Sequence, residues 1–341
     1  MTEYFDIKLI QADHGDAILV SYGRRPVRHL LVDGGPPSSL PNLINVLGAA
    51  RTDGILRLEA IVVTHYDFDH IGGIIALLEC APDWLIINDI WFNGNKHLVP
   101  PDMLGEPHSD ALARLIVKRQ LPWNNEFREQ AVCTPWPHKI ELEGGVTIEI
   151  LSPTRKELTA LAKRGGVDLN EKTEAQDRLG RQDSWPAPPL ASLLAKETAE
   201  DQSASNASSI ALLLSQGEKR VLLSGDARAD LICKTLVDLS PDRKLQIELL
   251  KISHHGSQAN TSVDLLSKIS CKRFAFSTNG KIHYHPDQIA IARVVASTYN
   301  PELIFNYANI WTNKWRNRPH LWRPYSTVYP SNEGPYVRVI V

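Results

Sequence analysis

Short apolar runs that each end in a histidine or aspartate loop recur along this chain, and they restrict its fold more than any other feature. Asp33 follows "HLLV", and "THYDFDHIGG" at 64–73 follows "LEAIVV". Asp226 follows "VLLSG", His254 and His255 follow "LLKIS", and His283 and His285 follow "FAFSTNG". Such runs, bounded by glycine and polar turns, read as β-strands. Strand-end loops that gather on one edge of a sandwich converge on one site. The pattern therefore predicts a strand-rich α/β fold with its chemistry at one edge.

The intervening segments supply the helices. "SLPNLINVLGAARTDG" has helical spacing and a glycine stop, "IGGIIALLEC" leaves the 64–73 loop as a helix, and "SDALARLIVKRQ" (109–120) is a third. "HKIELEGG" (138–145) and "VTIEILSP" form a strand pair. After "SSIALLLSQGEKRVLLSGDA", two strands around a glycine turn, come the helix "RADLICKTLVDL", the strand "IELLKIS", and the helices "SVDLLSKI" and "QIAIARVVAS". Residues 164–205 are polar and poor in β-branched residues, which marks an insertion or flap. The expected organisation is one domain over 1–300, interrupted by that insertion, and a Trp-rich extension over 301–341 packed on the same domain.

The 341 residues are 43 % hydrophobic, enough for a large single core, and the net charge of −2 excludes a strongly basic polyanion binder. A nucleic-acid substrate would have to be held by metal ions or a local patch. Cys80, Cys133, Cys233 and Cys271 form no C-x-x-C pair, so neither a disulfide framework nor a thiolate zinc site is expected. No run approaches the ~18 apolar residues of a membrane span, and a cytoplasmic location is expected.

Imidazole and carboxylate together suit zinc, manganese or iron. His65 and Asp67 would face one ion, Asp69 and His70 a second, and Asp226 would bridge them. Gly72 and Gly73 allow close backbone approach. "THYDFDHIGG" resembles the H-x-H-x-D-H-x-G-G motif of the metallo-β-lactamase superfamily, with Asp67 in the place of its second histidine. "DHGDAILV", "LLVDGG" and "LLSGDA" are similar to the family's further motifs. "LKISHHGSQANTS" with "KIHYHPD" resembles one subgroup, the hydrolase domain of ComEC-type DNA-uptake proteins and its free-standing relatives. The resemblance covers residues 4–300 and implies a four-layer αββα metallo-β-lactamase sandwich with two divalent metal ions, zinc or manganese.

Where the superfamily usually has another metal-binding histidine, this chain has "SNASSIALLL", with Asn206 and Ser209. That departure and Asp67 both favour a harder, more exchangeable ion such as manganese. The last ligand is left between His254, His255 and His285. Asp16 and Asp33 are expected to orient ligands. Asn206, Ser257, Asn260 and His283 are expected to contact substrate, and His285 to protonate the leaving group. The implied reaction is hydrolysis by a metal-bound hydroxide held by Asp69. A phosphodiesterase or nuclease acting on a phosphodiester or nucleic-acid substrate leads. A small-molecule hydrolase (lactone, thioester or cyclic nucleotide) and a non-catalytic binding module with a degraded site are its rivals. Lys314, Arg316, Arg318 and Arg323, interleaved with Trp315 and Trp322, form either a polyanion strip or a solvated edge.

Overall fold

The computed structural model describes residues 4–98, 110–136, 139–164 and 182–341. Its strands are β1 (Tyr4–Ile10), β2 (Ile18–Gly23), β3 (Arg28–Val32), β4 (Leu56–Val62), β5 (Leu85–Ile87), β6 (Ile90–Trp91), β7 (Ile140–Glu141), β8 (Thr147–Ser152) and β9 (Ala211–Gln216). They continue as β10 (Lys219–Leu223), β11 (Leu245–Ile247), β12 (Leu249–Lys251), β13 (Ile269–Cys271), β14 (Arg273–Phe276), β15 (Glu302–Phe305), β16 (Ser326–Val328) and β17 (Tyr336–Ile340). One seven-stranded sheet runs β17-β1-β2-β3-β4-β5, with β6 also on β4. An eight-stranded sheet runs β16-β15-β14-β12-β10-β9-β8-β7, and β11 pairs with β13 apart from both.

Side-chain alternation sorts these sheets into layers. Phe5, Ile7 and Leu9 of β1, Ala60 and Val62 of β4, Leu212 and Leu214 of β9, and Val221 and Leu223 of β10 share one core between the sheets. Their neighbours turn outward. Ile61 packs under the helices Leu40–Ala49 and Phe68–Cys80, and Leu58 joins it because the register against β3 shifts between residues 58 and 60. Leu213, Leu222, Leu250 and Phe274 pack under Ala229–Leu239, Val263–Lys268 and Gln288–Ser297. Period-two strands with both faces apolar can be buried only in this way, with helices on each outer face. The expected α/β metallo-β-lactamase sandwich, in αββα layers, is the observed fold.

Two readings of the sequence change. "IELLKIS" is two strands in different sheets, β11 and β12. Residues 301–341 supply β15 and β16 to one sheet and β17 to the other. Trp315 and Trp322 are buried in the outer core, and the Trp315 ring lies 5.2 Å from that of Trp185. Those two rings are packing residues and offer no base-stacking platform; Lys314 and Arg316 lie over Trp185 and Tyr329.

Of the polar segment 164–205, residues 165–181 lie outside the described residues, as do Ser109 and His138 at the starts of the expected 109–120 helix and 138–145 strand. From 182 onward the chain runs beside the helix Gln288–Ser297. The Gln288 amide donates to Asp183 Oδ2 at 2.8 Å and Arg293 donates to Thr198 Oγ1 at 2.7 Å. Among the described residues, no helix is long and apolar enough to cross a membrane.

Candidate metal centre

The motif after β4 begins its helix earlier than its glycines suggest. Asp67 is extended (φ −64°, ψ 140°) and the helix starts at Phe68, so Asp69 and His70 occupy its first turn, not a loop. An acidic residue there is favoured by the helix dipole. Gly73 is needed for packing: a Cβ would fall inside the carbonyl of Gly34, on the loop after β3. Both glycines thus seat the helix against the 34–37 turn rather than against the site itself.

Asp33, at the end of β3, organises the first half of the site. Its Oδ1 accepts from the Thr64 amide and its Oδ2 from Thr64 Oγ1, both at 2.8 Å, and Oδ2 also accepts from His70 Nδ1 at 2.8 Å. Because the single Thr64 hydroxyl proton goes to Asp33, Thr64 Oγ1 must accept from His65 Nδ1, 3.0 Å away. In the second half, His255 Nδ1 donates to the Ser277 carbonyl at 2.9 Å, and His254 Nδ1 to Asn260 Oδ1 at 3.0 Å. All four rings therefore spend Nδ1 on a neighbour, which in the neutral imidazole leaves a lone pair on Nε2.

Those four Nε2 atoms converge on one oxygen. Asp226 Oδ2 lies 3.3 Å from His70, 3.5 Å from His255, 3.9 Å from His254 and 4.0 Å from His65. Asp67 Oδ2 is 3.3 Å from His65 Nε2, and Asp69 Oδ2 is 3.1 Å from His255 Nε2 and 3.7 Å from His70 Nε2. Two groupings share Asp226: Asp69, His70 and His255 on one side, His65 and Asp67 on the other, with His254 reaching the same oxygen. Both His254 and His255 thus reach the shared carboxylate. His285 stands one ring farther out, 5.7 Å from His254 between ring centres, with its Nδ1 3.2 Å from Asp287 Oδ1.

The electrostatics suit a cation. Burial pushes the His70 imidazole down, but Asp226, Asp69 and Asp33 outweigh it and raise His70 well above the ordinary value. His255 is raised in the same way by Asp226 and Asp16 against burial. Burial would lift the carboxyls of Asp69 and Asp226, yet the neighbouring imidazoles hold both below the usual range. A pocket that pulls protons onto buried imidazoles offers the same negative potential to a metal ion. Among the described residues, His65 Nε2 and Asn206 Oδ1 are buried without a hydrogen-bond partner, as unfilled ligand atoms would be. The residues therefore fit divalent metal, held by nitrogen and oxygen alone.

Several expected contact residues have other work. Asn260 is fully buried; its amide donates to Asp201 Oδ2 at 2.8 Å and to the Asp226 carbonyl at 3.2 Å, while its oxygen holds His254. It positions ligands and does not face substrate. Asn206 also donates to Asp201 Oδ2, at 2.7 Å. Ser257 Oγ accepts from the Ala259 amide at 3.2 Å. His283 lies between His14 and His285, at 6.1 and 5.8 Å between ring centres. Asp16 is buried beside His255, with Oδ1 3.3 Å from Nδ1.

Sequence reasoning missed Lys251, Asp201, Ser205 (which donates to Asp67 Oδ1) and His14. Only Lys251 carried a signal: a charge at an inward position of the apolar run "IELLKIS". Asp201 is one acid among many in a polar segment.

The model of the Metallo-beta-lactamase superfamily matches residues 13–83, the stretch that carries Asp16, Asp33 and the 64–73 motif. Among solved structures, the chain is similar to the metallo-beta-lactamase fold protein YhfI from Bacillus subtilis, at 11 % identity over 99 % of this chain and 100 % of that one, with a TM-score of 0.41. It is similar to a metallo beta lactamase from Hirschia baltica at 13 % identity over 67 % of this chain and 75 % of that one, TM-score 0.28. It is also similar to CmlA, a diiron beta-hydroxylase from Streptomyces venezuelae, at 10 % identity over 100 % of this chain and 54 % of that one, TM-score 0.37. No curated protein matches the chain. The family-model match, the two layered sheets and the buried histidine–aspartate cluster together support membership of the metallo-β-lactamase superfamily.

Proposed function

We propose that the protein is a metal-dependent hydrolase that cleaves phosphodiester bonds, a free-standing relative of the hydrolase domain of ComEC-type DNA-uptake proteins. The observation that carries the hydrolase reading is the convergence of four Nε2 atoms on Asp226 Oδ2, flanked by Asp67 and Asp69. Three carboxylates among the donors favour a hard or borderline ion, manganese or zinc, and the two groupings provide for two ions. When bound, such ions supply Lewis acidity and acidify a water.

The chain's own residues divide the remaining work. Asp69 orients the attacking water. His283, which burial keeps in the neutral form, stands near the edge of the site as a polar group suited to a phosphate ester. His285 delivers the proton to the leaving group. Burial pushes its imidazole down toward the neutral form despite Asp287 beside it, so a negatively charged substrate is needed to recharge it.

The test is hydrolysis of bis(p-nitrophenyl) phosphate, single-stranded DNA and RNA by protein loaded with manganese or zinc, beside a lactone and a thioester. Cleavage of the phosphodiesters, lost by about 10³-fold or more in Asp69→Ala, is the expected result. Turnover of the lactone or thioester alone would move the substrate to the small-molecule class. A folded protein that takes up no metal and cuts nothing would make it a binding module.

A further inference from the structure

Lys251 has no place in that division of labour. In β12, Leu249 faces the core between the sheets and Leu250 the outer helices. Lys251 continues the alternation inward, and its side chain is fully buried. A lysine held away from water needs partners. Its ammonium forms a close ion pair with Asp16, donates to the Gly225 carbonyl at 3.2 Å, and lies 3.8 Å from Asp226 Oδ1. It therefore stands behind the carboxylate that both metal groupings share. Asp16, His70, Asp226 and His255 each bring a ligand atom to within 4.8 Å of one another, so Asp16 is within reach of the ligand set.

We propose that Lys251 is a resident cation of the metal centre: it occupies Asp16, keeps that carboxylate out of coordination, and weakens divalent-ion binding by standing against the outer oxygen of Asp226. The inference rests on the metal-hydrolase reading and adds a control on metal affinity. A fixed positive charge a few ångströms from a divalent ion opposes its entry. A carboxylate already neutralised by an ammonium is a poor ligand for a second cation. Both effects make the bound ions exchangeable. Lys251 acts through Asp16 and Asp226 and is a positioning residue.

The experiment is calorimetric titration of manganese into metal-stripped protein, wild type against Lys251→Met, with the visible spectrum after cobalt substitution as a second readout. Lys251→Met should bind manganese at least about tenfold more tightly, with an altered cobalt spectrum as Asp16 joins the ligands. Adding Asp16→Asn to that variant should bring both properties back toward wild type. Unchanged or weaker binding by a folded Lys251→Met protein overturns the proposal. If circular dichroism finds that variant unfolded, Asp16→Asn alone decides. With its partner neutral, the lysine bears on Asp226 and manganese should bind several-fold more weakly, whereas equal or tighter binding overturns the proposal. A purely structural lysine would shift thermal midpoints and leave affinity and spectrum in place. Folded wild type that binds no metal would remove the metal reading itself; wild type that binds metal beside an indifferent Lys251→Met removes only the role of the lysine.

Discussion

Four imidazoles face one carboxylate oxygen because four neighbours take the proton on the far nitrogen. Of these, Asp33 has the widest reach, since it fixes His70 directly and His65 through Thr64. Asp33→Asn should weaken manganese or zinc binding about 10- to 100-fold while the fold persists, as read by metal titration and circular dichroism. Unaltered affinity would mean that the rings are held by packing alone. A second buried histidine, His29, tests acid stability away from the site. Burial, with Lys8 adding to it, lowers its imidazole from 6.5 to about 4, beside Ser21 Oγ at 2.9 Å. The unfolded chain takes up this proton near pH 6.5, and the folded chain only near pH 4. Stability is therefore fully present above pH 6.5 and falls as pH drops toward 4, by up to about 3 kcal/mol from this group. In urea titrations across that window, His29→Asn should flatten the slope by about one proton. An identical slope would remove His29 as the cause.

At the scale of elements, the helix Phe68–Cys80 was legible from its apolar spacing, but its first turn was not. Asp69 and His70 look like loop residues until a capping residue is placed, and Asp67 caps by backbone conformation, with no side-chain hydrogen bond to give it away. The paired glycines have a checkable consequence. Helix propensity favours Gly73→Ala by about 1 kcal/mol. The Gly34 carbonyl stands where the new Cβ must go, so the substitution should instead destabilise by about 1–3 kcal/mol in thermal melts. A more stable variant would refute the close approach. Strands with strict alternation, such as β9 and β10, were readable because both faces are buried. The split of "IELLKIS" and the short helices Leu190–Leu194 and Ala204–Ala207 were not, because tertiary contacts set them rather than local pattern. The basic stretch around Trp315 and Trp322 stayed open in the sequence for a related reason: basic and aromatic residues interleave equally well in a packed corner and in a binding strip.

Across the whole molecule, the site is a seam. Asp33 and the 64–73 motif follow strands of one sheet, whereas Asp226, His254 and His255 follow strands of the other. A bound ion therefore ties the two halves together and stabilises only the assembled state. At a hundredfold excess over Kd, manganese should add about 2.7 kcal/mol to unfolding and raise the midpoint in calorimetry, with a chelator reversing the gain. A midpoint indifferent to metal and chelator would mean that the ligands do not bridge the sheets.

The seam also depends on strands at opposite ends of the sequence. β17 pairs antiparallel with β1, Asp6 opposite Ile340, and Gln11 at the mouth of the Asp16 loop donates its amide to the Pro335 carbonyl. β17 therefore braces one flank of the loop that carries Asp16, while the Asp16 amide, donated to the Asp69 carbonyl, braces the other. Removal of the β17 residues would leave most of both sheets in place and loosen the floor on which the ions sit.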